Sequence, residues 1–231
     1  MAVLVLLPGM DGSGELFAPF IQALASTQSV QIVRYPASAT LGYAELEAAV
    51  RAALPEGRPY FLLGESFSGP IAISLAAAYP SQLRGLILCC TFAKNPRPGF
   101  GWLRGLVKFV PVQPPISVLE ALLCGRFANP KLRSVLAVAL SLVPLAVLQA
   151  RLAAVVCVNV VPKLRSLRLP VLYLRATEDR IVPLSASELV LANCSGAQAV
   201  HLVAPHFLLQ AVPNEAAAVV TKFMQEVESA L

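Results

Sequence analysis

Charge, histidine and aspartate are all scarce in this chain. Of 231 residues only 13% are charged, two are histidine (His201, His206) and two are aspartate (Asp11, Asp179). With 57% apolar content, that shortage excludes a disordered chain and leaves one large buried core as the dominant feature. The five cysteines show neither CxxC nor any other metal-ligand spacing. They read as reduced and mostly buried, with Cys89 and Cys90 inside an apolar strand pattern. A single tryptophan, Trp102, and scattered phenylalanines give no interleaving of aromatic and basic side chains, so no nucleic-acid partner is expected. The opening MAVLVLLPGMDGSG has a short apolar run without a basic flank and ends in a glycine-rich turn. It reads as a first strand rather than a targeting segment, and a cytoplasmic protein is the expectation.

What is present is alternation. Apolar runs at residues 3–9, 30–36, 60–66, 83–90, 169–177 and 197–204 are nearly continuous in hydrophobicity, as strands buried on both faces should be. Helical patterns lie between them, at about 14–26, 42–54, 67–79, 184–194 and 214–229. Strand then helix, repeated, predicts an α/β fold: a mostly parallel sheet of about six strands flanked by helices. The rhythm breaks once, over almost eighty residues after Cys90 in which proline and glycine punctuate helical pieces. The expected division is a core of residues 1–91 and 169–231 with a helical cap insertion at 92–168.

The segment FLLGESFSGPIAISLAAAYP places Ser66 between an apolar strand and a small-residue helix. A nucleophile on a strand-to-helix turn needs small neighbours two positions to either side, because the turn is tight. Gly64 and Ser68 meet that need, with Gly69 following. The helix starts at once, so its N-terminal amides face any negative charge that develops beside Ser66.

In this arrangement the chain resembles an α/β-hydrolase from end to end. The family pattern is G-x-S-x-G; here it is Gly64-Glu65-Ser66-Phe67-Ser68, with serine in the last place. The loop LLPGMDGSGELFAPF and the elbow are similar to bacterial esterases of this superfamily and to the esterase/lipase/thioesterase-like domain of phytyl ester synthases. The latter resemblance implies acyl transfer to an alcohol as a second activity.

A serine nucleophile needs a histidine base and a carboxylate to orient it. The resemblance implies the order serine, acid, histidine, which points to Asp179 in ATEDRIVP and His206 in VAPHFLLQAVP. Glu178 is the rival acid. His201 falls inside the last strand pattern, where its side chain meets sheet packing or the surface, whereas His206 lies on the loop beyond it and can reach a site at the strand ends. The oxyanion donors expected are the backbone amides of Phe67, directly after the nucleophile, and of Met10, where the family's His-Gly is replaced by Pro8-Gly9. Asp11 in the same loop reads as a brace for the turn.

The glycines at 9, 12 and 14, with Arg34 further on, raise a dinucleotide-binding alternative. Their spacing is not G-x-G-x-x-G, and no tyrosine has a lysine four residues later. The reading is therefore a serine carboxylesterase that works through an acyl-enzyme with no metal or organic cofactor. An acyltransferase or thioesterase on the same triad, and a non-catalytic binding protein of the same fold, are the alternatives.

The cap segment holds eleven Lys or Arg against one acid, Glu120, a net charge of +10 in a chain of +5. Such a lid suits an acidic acyl carrier or an anionic membrane surface; equally, the charges solubilise an apolar insertion. Residues 134–150 form seventeen uncharged positions between Arg133 and Arg151, interrupted by Pro144, and read as buried cap helices rather than a span. Aliphatic cap side chains suggest a small-molecule ester with a hydrophobic acyl or alcohol part.

Overall fold

The computed structural model describes residues 2–26, 28–78, 80–99 and 115–230. Trp102, Arg104 and Lys108 lie outside the described residues. Six strands, β1 (Val3–Leu7), β2 (Val30–Ile32), β3 (Tyr60–Glu65), β4 (Leu83–Cys89), β5 (Val171–Ala176) and β6 (Ala197–Leu202), form one sheet in the order β2-β1-β3-β4-β5-β6. Every pairing is parallel.

Strand alternation divides the core in two. Val3, Val5 and Leu7 of β1 join Tyr60 and Leu62 of β3 in one apolar cluster, while Leu4 and Leu6 join Phe61 and Leu63 in another. Successive side chains point to opposite faces and both faces are covered, so β1 and β3 are buried at every position. Helices α2 (Tyr43–Ala53) and α3 (Gly69–Ala76) supply Leu46, Val50, Ile71 and Leu75 to the first cluster. Helix α1 (Ala18–Ala23) supplies Phe20 to the second.

Between β4 and β5 the chain forms α4 (Ile116–Leu123), α5 (Pro130–Ser141), α6 (Leu145–Cys157) and α7 (Val161–Ser166). Asn129 caps α5, its side-chain oxygen accepting from the Leu132 amide at 3.0 Å, and Pro130 follows where no amide donor is needed. An antiparallel bridge between Lys94 and Asn159, with the Val160 amide donating to the Ala93 carbonyl at 2.7 Å, closes the base of this excursion. Leu132, Leu136 and Ala139 of α5 pack with Cys124, Leu16 and Phe207 in a third cluster. Helix α7 differs, since Leu164 joins the cluster on the sheet. The chain ends with α8 (Leu184–Asn193) before β6, then α9 (Leu208–Ala211) and α10 (Pro213–Ser229), whose Val220 and Phe223 cover the second face.

Among the described residues no single helix is long and apolar enough to cross a membrane; α5 and α6 are together apolar enough but meet at 97°. All five cysteines are free, and only Cys157 is exposed. Strand β4 stops at Cys89, because Cys90 takes a φ of 46° and turns the chain.

Candidate active site

From β1 the chain passes to β2 on one side and then returns to β3 on the other, so the strand order reverses between β1 and β3. Such a reversal opens a crevice beyond the carboxyl ends of the two strands. Ser66 follows β3 at this point, and the loop of residues 8–14 follows β1.

Ser66 has a φ of 49°, in the left-handed region that side chains rarely adopt. Its surroundings hold it there. The helix after the turn folds back so closely that a Cβ on Gly64 would lie 2.8 Å from Ala72 Cβ and 2.9 Å from the Ser68 carbonyl oxygen. A Cβ on Gly69 would overlap the Thr91 side chain. The Thr91 hydroxyl donates to the Ser66 carbonyl, and Thr91 is itself fixed by Tyr173, whose hydroxyl donates to the Thr91 carbonyl at 2.5 Å. Ser68 does more than fit: its hydroxyl donates to the Pro8 carbonyl and is hydrogen-bonded to the Tyr35 hydroxyl. A glycine there would leave both bonds unmade, which gives a physical reason for serine in the last place of the motif.

The structure brings Ser66, His206 and Asp179 together. Ser66 Oγ lies 2.9 Å from His206 Nε2, and His206 Nδ1 lies 2.8 Å from Asp179 Oδ2. The histidine and aspartate side chains are only 5% and 6% exposed, so water competes little for these contacts. The other carboxylate oxygen, Asp179 Oδ1, accepts from the amides of Ile181 and Val182 at 2.8 and 2.9 Å, which locks the carboxylate in place. His206 sits between β6 and α9, and the next residue is tied to α4, the Phe207 amide donating to the Leu123 carbonyl at 3.0 Å. Glu178 turns elsewhere: Arg126 donates to both its oxygens at 2.6 to 2.9 Å and holds its carboxyl below the usual range. His201 is exposed on the edge strand β6, opposite Arg175.

Of the two expected oxyanion donors, Met10 lines the cavity beside Ser66. Phe67 is buried, its ring stacked on Tyr43 at 4.7 Å and its carbonyl accepting from the Tyr43 hydroxyl at 3.1 Å. Asp11 braces its turn: its carboxylate accepts from the Ser13 amide at 2.9 Å and from the Ser13 hydroxyl. The cavity, about 300 Å³, has Ser66 and His206 on its floor, and Leu119, Leu136 and Leu148 from α4, α5 and α6 stand among its walls. Among the described residues no group of His, Cys, Asp and Glu is placed to hold a metal ion.

Two charged residues of the site escape sequence reasoning. Glu65 lines the cavity directly before Ser66; burial pushes its carboxyl up to about 7, against the opposing pull of a 2.9 Å hydrogen bond from Gln210 Nε2. Arg151 of α6 is fully buried and donates from Nη1 to the carbonyls of Met10 and Asp11, both at 2.8 Å, and from Nη2 to that of Pro36 at 3.1 Å. Its guanidinium lies 5.6 Å from the centre of the Tyr35 ring. The available signal for Arg151 is its position as the first charge after seventeen uncharged residues.

Residues 43–208 match the family described as serine aminopeptidase, S33. A comparison with curated proteins finds no match. Among solved structures, a hydrolase from Pseudomonas aeruginosa PA01 is 21% identical with a TM-score of 0.78, covering 96% of this chain and 89% of that one. A lipase-esterase related protein from Clostridium acetobutylicum ATCC 824 is 15% identical with a TM-score of 0.81, covering 96% and 94%. A bromoperoxidase from Bacillus anthracis is 14% identical with a TM-score of 0.83, covering 97% and 92%. At these identities the likeness is one of fold.

Proposed function

We propose, from the premise that this chain belongs to the serine aminopeptidase S33 family and carries the α/β-hydrolase fold, that it is a serine carboxylesterase acting on esters with a hydrophobic acyl or alcohol part. The observation that carries this reading is the chain of contacts from Ser66 Oγ through His206 to Asp179, with Ser66 and His206 lining an apolar cavity.

In this mechanism His206 Nε2 accepts the Ser66 hydroxyl proton as Oγ attacks the acyl carbon, and Asp179 stabilises the imidazolium that forms. The carbonyl oxygen takes up negative charge, met by the amides of Met10 and Phe67. The bond to the alcohol breaks, and the alcohol leaves with the proton from His206. Water then attacks the acyl-enzyme and gives its proton to His206; the acid departs and Ser66 recovers its hydrogen. The segment 92–168 acts as a cap in this scheme, roofing the acyl pocket with α4, α5 and α6. A cavity of about 300 Å³ is within the range of small-molecule sites.

The test is hydrolysis of p-nitrophenyl esters over a series of acyl lengths. Ser66→Ala and His206→Ala are each expected to lower kcat by about 10⁴-fold or more, with Asp179→Asn close behind, while circular dichroism stays unchanged. Undiminished turnover by Ser66→Ala sinks the proposal.

A further inference from the structure

The loop that supplies the Met10 amide is held from two sides. On its own side, the Gly12 amide donates to the Gly9 carbonyl at 3.1 Å. A trans peptide sets its N–H opposite its C=O, so fixing the Gly9 carbonyl also fixes the direction of the Met10 N–H. From the other side, Arg151 clamps the next two carbonyls of the loop, those of Met10 and Asp11, with a single Nη1, and reaches the loop after β2 at Pro36 with Nη2. Three backbone carbonyls on one planar fork is a geometry that guanidinium supplies and ammonium does not.

Gly12 is shaped around this clamp. Its φ of +70° favours glycine, and an added Cβ would stand 2.6 Å from Arg151 Nη1 and 2.9 Å from Tyr35 Cβ. Tyr35 continues the connection, because its hydroxyl is bonded to Ser68, which in turn reaches Pro8 at the start of the same loop. Burial lowers the guanidinium pKa and the nearby Asp11 and Tyr35 oppose that shift; Nε is buried without a partner. A cation kept at full burial under these conditions serves neither solubility nor the attraction of an outside partner, the two roles that composition suggests for the cations of this segment.

We infer that Arg151 is a positioning residue for catalysis: from helix α6 it fixes the Met10 segment in the conformation that receives the oxyanion, so that the helical excursion and the transition-state site are one unit. It does not line the cavity and acts through the loop backbone. The inference rests on the reading of Ser66 as nucleophile.

The test compares wild type, Ser66→Ala, Arg151→Lys, Arg151→Ala and Gly12→Ala in two assays. One is the rate at which a fluorophosphonate labels Ser66, where the serine oxygen bonds to phosphorus and fluoride leaves; the other is steady-state hydrolysis of a p-nitrophenyl ester. Arg151→Lys is expected to lower both the labelling rate and kcat by about ten- to hundredfold per folded molecule, with KM within about twofold. Gly12→Ala, whose added Cβ would crowd both Arg151 Nη1 and Tyr35 Cβ, should show the same split, and guanidinium rescue separates loss of the clamp from strain in the loop itself. In Arg151→Ala, added guanidinium ion at millimolar concentration should restore part of the rate. Wild-type rates in both folded variants, with only a lowered melting temperature, overturn the positioning role and leave the nucleophile standing. Wild type labelled no faster than Ser66→Ala overturns the reading of Ser66 itself, and the inference with it.

Discussion

Ser66 occupies a conformation that costs a side-chain-bearing residue on the order of 1–3 kcal/mol, and its φ of 49° is maintained by bonds and close packing on both sides. The strain makes a prediction separate from activity. Ser66→Gly and Ser66→Ala both lose the hydroxyl, yet the glycine variant should be more stable by about 1 kcal/mol, because only glycine adopts this φ freely. Denaturant midpoints of the two variants measure this, and equal midpoints would mean the turn is not strained. Glu65 gives a second residue-scale prediction. Its folded pKa of about 7 lies above the ordinary 4.5, so between those values the native state holds a proton that the unfolded chain has lost. Stability must then fall as pH rises from about 5 to 8, by on the order of 3 kcal/mol at most from this group. Glu65→Gln should flatten that fall in urea-unfolding free energies at the two pH values; parallel profiles would show that Glu65 is not the source. The sequence made Ser66 legible through its small neighbours, and made His206 and Asp179 candidates through scarcity and the family order. Glu65 stood inside the same motif, but nothing in spacing says that a carboxylate will be buried, since burial there depends on Gln210 and the Gly9 loop, distant in the chain.

At the scale of elements, the site is a junction of loops, each anchored by the backbone of another. Ser68 joins the start of α3 to the loop after β1 and, through Tyr35, to the loop after β2. Ser68→Gly restores the commoner motif residue but leaves a buried carbonyl and a buried phenol each short of a partner. It is expected to cost about 1–3 kcal/mol of stability, measurable by thermal or urea unfolding, despite matching the family pattern more closely; an unchanged stability would mean water takes over both bonds. The inner strands were legible because their apolar runs are nearly unbroken, as burial on both faces requires, whereas the edge strands β2 and β6 are only partly buried and β2 ends at Ile32, short of its apolar run. The boundary at Cys89 was not, because the left-handed φ of Cys90 follows from Thr91 reaching Ser66, a contact 25 residues apart in sequence.

For the whole molecule, the sheet reversal at β1 and β3 sets where Ser66 and the loop after β1 meet, and helices of the excursion between β4 and β5 line the cavity beside them. The basic balance of residues 92–168 reads differently once side chains are placed. Arg151 is buried under the Met10 loop, Arg126 is engaged with Glu178, Arg133 with Glu120 and Lys163 with Glu47. Part of that charge ties the excursion to itself and to the core, with Glu178 and Glu47 as acidic partners from outside the segment. An acidic carrier or anionic membrane as partner therefore remains a proposal that the remaining cations must carry.

The central claim is that Ser66 forms a covalent acyl-enzyme. The measurement that tests it most directly is rapid mixing of the protein with a p-nitrophenyl ester, followed by acid quenching and mass analysis of the peptide containing Ser66. The account predicts a burst of p-nitrophenol approaching one equivalent and a gain of one acyl group on Ser66, both absent in Ser66→Ala. Turnover by Ser66→Ala at the wild-type rate, or an acyl group found on another residue, would contradict it.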